Sequence, residues 1–452
     1  MSTILDSSIF GPLFMDEQVV RTLDDQAQVR ALVEVEAALA RVQARLGIIP
    51  LAAAEQIRRA ADARKINIAA LSKETGRSGF PIIPLVRELG KLVGTEAASF
   101  IHWGATTQDI MDTACILQLR AVIKFFESQL AELTRQLTEL ADRHRTTVMV
   151  GRTHGQQALP MSFGLKVASW LTPLIRHAER LKEIVSRLLV VQFGGAAGTL
   201  AALGDQGLTV MQALADELDL AVPVMPWHAQ RDNLVEFAGW LSLVTGSLGK
   251  MAQDIILLAQ NEIGEVAESA EEGRGGSSTM PQKMNPITSE LILAVARTNA
   301  SLLSAMHHAQ IQEHERATHG WQVEWLTLPQ MVLLTSGALK HAIYLSKNLQ
   351  VNQKRMRENI ARTNDIALSE AVVFALSKVM DRAKADELVK KAVAVAISEG
   401  KSLIEVVNNA TIGMIPAGAV DWKALARPQN YLGSTEQIID RVLQYARKLP
   451  SP

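Results

Sequence analysis

LVEFAGWLSLVTGSLGKMAQDIILLA, residues 234–259, decides what kind of molecule this is. Phe237, Trp240, Leu241, Val244, Leu248, Met251, Ile255 and Leu258 recur at helical spacing, and other apolar residues fill most positions between them. The helix, read as running from about Leu234 to Ala267, is therefore apolar nearly all round and must be covered on several sides. A membrane is excluded as the cover, because the uncharged run from Phe237 to Gly249 is shorter than the roughly 20 residues of a span. Other helices, of this chain or of further copies of it, have to supply the cover.

Such helices are present on both sides. From about Asp112 to Arg143, Ile116, Leu119, Val122, Ile123, Phe126, Leu130, Leu133, Leu137 and Leu140 form one apolar stripe. A second stretch spans about Met161 to Leu189, and a third starts at Pro286 and continues through LILAVARTNASLLSAMHHAQ. The predicted fold is all-α: a long central bundle over residues 111–363, flanked by small helical domains at 1–110 and 364–452. Breaks at GRSGFPIIP (76–84) and GMIPAGAV (413–420) mark the shorter helices of the two flanking domains. Composition agrees, with 48% hydrophobic but only 4% aromatic residues, a balance that favours packed helices over sheets.

The charge balance narrows the function. With 46 basic and 47 acidic residues the chain has no global field to hold a polyanion, so nucleic acid is not expected as a partner. A single cysteine, Cys115, excludes an intrachain disulfide and a cysteine-based zinc site. The first residues, MSTILDSSIFGPLFMDEQVV, lack the basic and apolar segments of an export signal. The expected compartment is the cytoplasm, with no membrane association.

Five polar stretches interrupt the apolar pattern. In HWGATTQDIMDT (102–113), Thr106 or Thr107 can cap a helix whose positive end suits a carboxylate or phosphate, although taken alone the stretch reads first as an ordinary threonine cap followed by the first-turn acids Asp109 and Asp112. VGRTHGQQALPMSFG (150–164) places Arg152, Thr153 and His154 between two helical stretches, where a histidine can serve as acid or base but by itself reads first as a solvated loop residue. PWHAQRDNLVEF (226–237) offers His228, Gln230 and Arg231 for an anionic ligand, or a plain helix-start loop. In QEHERATHGWQVEW (312–325), His314 and His319 are five apart and diverge on a helix, so no metal pair is expected, and Arg316 is a possible carboxylate clamp. GRGGSSTMPQKMNP (273–286) combines three glycines, Ser277, Ser278 and Lys283 with Asn285-Pro286, read as a helix cap and first helical residue. Together with VQFGGAAGTLAALG (191–204), whose glycines mark a turn or a close backbone approach, these stretches carry a resemblance.

GSSTMPQKMNP resembles the signature of the fumarase/aspartase (class II fumarase) superfamily, and GATTQDIMDT and GRTHGQQALP resemble its other two shared regions, in the same order. VQFGGAAGTLAALG, PWHAQRDNLVEF, EHER and NYLG are similar to stretches of the bacterial 3-carboxy-cis,cis-muconate cycloisomerases. Two positions resemble a different branch. His154 and Glu290 match the pair that adenylosuccinate-lyase-like, fumarate-releasing members carry, whereas cycloisomerases commonly replace that histidine. The pair favours a carbon–nitrogen lyase that releases fumarate from an N-substituted aspartate, with muconate lactonisation in the protocatechuate pathway as the alternative. No counterpart of the second adenylosuccinate-lyase histidine stands near GRSGFPIIP, which disfavours purine nucleotides.

The resemblance also implies a mechanism. Elimination beside a carboxylate passes through a doubly charged aci-carboxylate, so the enzyme must bind charge that develops in the reaction. Family logic makes Ser277 the base, with Lys283 among the groups that stabilise its alkoxide, and makes His154, oriented by Glu290, the general acid. Thr106, Thr107, Thr153, Gln230, Arg231, Ser278, Met280, Asn285 and Arg316 are the implied ligands of a small di- or tricarboxylate. Neither a metal nor a cofactor is implied, and each site would be shared between subunits of a homotetramer. A non-catalytic scaffold is the competing class, and the intact Ser277, Lys283, His154 and Glu290 argue against it.

Overall fold

The structure, a computed structural model, describes residues 3–269, 275–276, 279–280 and 282–448. Ser277 and Ser278 lie outside the described residues. The chain is all-α, as expected. Its longest helices are α1 (Asp25–Arg45), α2 (Thr107–Arg143), α3 (Phe163–Leu188), α4 (Asp232–Leu258), α5 (Ile287–Ala309) and α6 (Gly320–Asn348), of 21 to 37 residues. Among the described residues two short antiparallel ladders accompany them: β1 (Val148–Thr153) with β2 (Gln156–Ser162), and β3 (Val266–Ala267) with β4 (Gln350–Val351).

The chain forms two compact units that alternate along the sequence. One takes Met1–Leu130, His177–Gly246 and Ala294–Lys340, and the other takes Ala131–Arg176, Ser247–Leu293 and His341–Pro452. Each of α2 to α6 contributes residues to both.

In the first unit the core forms around the apolar helix that opened the sequence reading. Trp240 of α4 stacks on Phe237 at 5.7 Å and lies 5.6 Å from Phe126 of α2. Its indole N–H is buried but satisfied, donating to the His177 carbonyl at 2.9 Å. By length and composition α4 would suffice to cross a membrane, yet half of its most apolar window is buried within the chain, as in the core helix of a globular unit. The helix ends at Leu258, short of the expected Ala267: Gly264 takes a positive φ of 61°, and the next residues pair as β3.

In the second unit, Leu368, Val372, Leu376, Val389, Leu403 and Val407 close a separate apolar core. They come from α7 (Ser369–Leu376), α8 (Arg382–Glu399) and α9 (Leu403–Ala410) with the residues around them. Helix α3 starts at Phe163, close to the expected Met161, and the residues before it pair as the β1–β2 hairpin. Val150 of that hairpin packs against Ile360 and Ala367.

Candidate active site

In the first unit the start of α2 forms a positive corner. Thr106 precedes the helix, and its N–H donates to Asp109 Oδ2 at 2.9 Å, the return half of a capping box. Arg316 NH1 donates to Thr106 Oγ1 at 2.7 Å, and Arg316 Nε reaches Gln108 Oε1 at 3.4 Å. A guanidinium thus sits beside a helix N-terminus, where dipole and charge both favour an anion. Thr106, Thr107 and Arg316 are half-buried here, while Gln230 is exposed.

Asp109 holds this corner in place. Fully buried, its carboxylate also accepts the Gly194 and Gly195 N–H groups, each at 2.9 Å, and faces His228 Nε2 at 2.7 Å. A side chain on Gly194 would meet Pro226 at 2.6 Å and His228 at 2.9 Å, so the glycine there allows the close approach that its sequence context suggests.

Arg231 faces the interior instead. It is 1% exposed, and its guanidinium donates twice to Asp112, at 2.6 and 3.0 Å, and twice to Glu324, at 2.8 and 2.6 Å. Trp321 Nε1 donates to Asp112 as well, at 3.0 Å. Burial opposes the Arg231 charge, but the two carboxylates outweigh it and raise its pKa. Burial pushes the Glu324 carboxyl up, against the pull of Arg231. A guanidinium already neutralised on both sides has nothing left to offer a substrate, so Arg231 is set apart from the ligand group in which the sequence placed it. Burial and Asp112 push the nearby Cys115 thiol up to about 12, which leaves it unreactive.

The second unit holds the other two regions. GRTHGQ forms the turn of the β1–β2 hairpin, Thr153 pairing with Gln156 across His154 and Gly155. Both turn residues have positive φ, 49° and 76°, the geometry of a type I′ turn. Thr153 and His154 are exposed at this tip. One residue back from this tip, Arg152 makes a two-pronged ion pair with Glu265, at 2.9 and 2.8 Å, and Asn359 donates to the same carboxylate at 2.8 Å.

Of the signature stretch, Gly276 bridges Met284, and Asn285 N–H donates to Gly275 O at 2.8 Å. Gly275 has φ 71°, and a side chain there would come within 2.7 Å of the Asn285 carbonyl, so only glycine fits. Met280, Lys283 and Glu290 are exposed and Asn285 is half-buried. Among the described residues no hydrogen bond or ion pair within this chain joins His154 to Glu290.

A lyase family model matches residues 13–298, and a model of the adenylosuccinate lyase C-terminus matches residues 365–442. The 3-carboxy-cis,cis-muconate cycloisomerase of Pseudomonas aeruginosa is 42% identical over 98% of this chain and 97% of its own. The chain belongs to the fumarase/aspartase superfamily. Among solved structures of this superfamily, the 3-carboxy-cis,cis-muconate lactonizing enzyme of Pseudomonas putida superposes with a TM-score of 0.94 at 39% identity, covering 98% of this chain and 100% of that one. A fumarate lyase of Mesorhizobium sp. BNC1 superposes with a TM-score of 0.89 at 42% identity, covering 95% and 98%.

These relationships correct the functional expectation. The His154/Glu290 pair favoured a fumarate-releasing carbon–nitrogen lyase on two positions, whereas similarity to muconate cycloisomerases extends over nearly the whole length and recurs in relatives from several bacteria. Two positions are a narrow basis against a whole chain, and the fumarate-releasing reading is withdrawn.

Several carboxylates escape the sequence reading, Asp109, Glu265 and Glu268 among them. Asp109 was weighed as an ordinary first-turn acid, and neither Glu265 nor Glu268 was singled out. Glu265 and Glu268 stand just ahead of the signature stretch, in GEVAESAEE (264–272), where an acidic run reads as a solvated face. Their partners are distant in sequence and leave no local trace.

Proposed function

We propose that this chain is a 3-carboxy-cis,cis-muconate cycloisomerase, closing a lactone by adding one substrate carboxylate across a double bond. The observation that carries this reading is the full-length likeness to enzymes of that name. In the forward direction a carboxylate oxygen bonds to one alkene carbon, and the π pair moves onto the neighbouring carbon and its carboxylate as an aci-carboxylate. That carbon then takes a proton, so the reaction is an isomerisation with no atom gained or lost.

Ser277 is the proposed proton carrier, and Lys283 and Asn285 are the groups that hold the charge. The Thr106–Arg316 corner suits a second carboxylate. In the reverse direction the leaving group is itself a carboxylate, a weak base that departs without a proton. The reaction therefore does not require a His154–Glu290 acid, and His154 serves as a hydrogen-bonding ligand for the third carboxylate. Exposure of His154, Lys283 and Glu290 in the single chain supports a site completed by other copies in a homotetramer.

The test is direct. Purified protein given 3-carboxy-cis,cis-muconate should consume the diene absorbance and yield one lactone by NMR, with N-substituted aspartates offered in parallel. No turnover of the muconate by folded protein removes the proposal.

A further inference from the structure

Helix α5 lacks a cap of its own. It starts at Ile287, and the preceding Pro286 has no side-chain oxygen to receive the first amides. Asn285, read from the sequence as the cap, stands one residue too early: its carbonyl accepts Ile287 N–H at 2.9 Å and its own N–H goes to Gly275. Glu268 fills the role instead. Its carboxylate accepts Thr288 N–H at 3.0 Å, Ser289 N–H at 2.8 Å and the Ser289 hydroxyl at 2.7 Å. Thr288 and Ser289 are 1% and 0% exposed, so with Glu268 in place bulk water does not reach them.

Resting on the cycloisomerase reading for its kinetic arm only, we propose that Glu268 is a positioning residue of the catalytic segment and the resident anion of the α5 N-terminus. The positive end of α5 is then closed to substrate, and the substrate carboxylate must be held by the side chains of Lys283 and Asn285 just ahead of it. Glu268 acts through α5: by fixing where the helix begins, it fixes Asn285, two residues ahead of Ile287 and bonded to its N–H.

Glu268→Ala removes the internal carboxylate and leaves the helix end vacant for a small one, so formate is the probe. Hydrogen exchange at the Thr288 and Ser289 amides should accelerate in Glu268→Ala and slow again with formate, while exchange in α7 to α9 stays unchanged. With 3-carboxy-cis,cis-muconate, kcat should fall about 10- to 100-fold, the scale of a small misplacement of reacting groups, with KM held within about threefold and formate restoring part of kcat. Glu268→Gln, which keeps one acceptor oxygen, should fall between. Unchanged amide exchange, or wild-type kcat in Glu268→Ala, overturns the proposal. Wild-type protein inert towards the muconate, but with the expected exchange pattern, overturns the cycloisomerase reading and leaves the Glu268 contact standing.

Discussion

Arg316 and Arg231 carry the same guanidinium into environments that give it opposite uses. Arg316 is half-buried and, among the described residues, bonded only to the neutral Thr106 and Gln108, so its charge remains available to a ligand. Arg231 is enclosed by Asp112 and Glu324. Arg316→Ala should therefore raise KM for the tricarboxylate about tenfold or more, the loss of a charge-assisted contact of about 1.5–3 kcal/mol, as read by steady-state kinetics. Arg231→Met should instead strand two buried carboxylates and cost about 3–5 kcal/mol of stability, read as a fall in the denaturation midpoint. A KM effect of Arg231→Met without loss of stability would return Arg231 to the ligand set. Both arginines lie in polar stretches of similar composition, and nothing local separates them.

At the scale of elements, the loop before α2 is held by a second contact besides Asp109. His102, with φ 62°, places Nδ1 at 2.7 Å from Glu36 Oε1 of α1. Burial alone would lower the His102 pKa, but Glu36, with Asp109 adding to it, outweighs burial and raises it. A raised folded-state pKa contributes stability that is fully present below the unfolded value of about 6.5 and is lost as pH rises through the folded value. His102→Gln should thus lower the thermal midpoint more at about pH 5.5 than at about pH 8.5, by the same linkage. An equal deficit at both pH values would exclude His102 protonation as its source. Helix positions were legible in the sequence because apolar spacing and chain breaks are local. The GRTHGQ hairpin was not foreseen, because its strands are short and lie between two long helical patterns.

For the whole molecule, the two compact units alternate along the chain, and the implied site residues divide between them. Thr106, Thr107, Gln230 and Arg316 belong to the first, and Thr153, His154, Lys283, Asn285 and Glu290 to the second. If sites are shared between copies, Arg316→Ala and Lys283→Ala proteins, each impaired when assayed below the wild-type KM, should regain part of the activity when unfolded together and refolded as mixed oligomers. In a mixture, some sites receive both intact parts. Activity that stays at the level of either variant would confine each site to one chain.

The sequence alone determined the all-α class, the approximate run of the long helices and the superfamily, because helical spacing and the GSSTMPQKMNP motif are properties of contiguous residues. Tertiary structure alone decided which polar groups are used and how. Arg231 meets its carboxylates 93 and 119 positions away, Asp109 meets His228 across 119, and Glu268 rather than Asn285 caps α5 from 20 and 21 positions back. A buried charge or a helix end takes whichever partner the fold brings within about 3 Å, and that partner is set by packing rather than by neighbours in the chain.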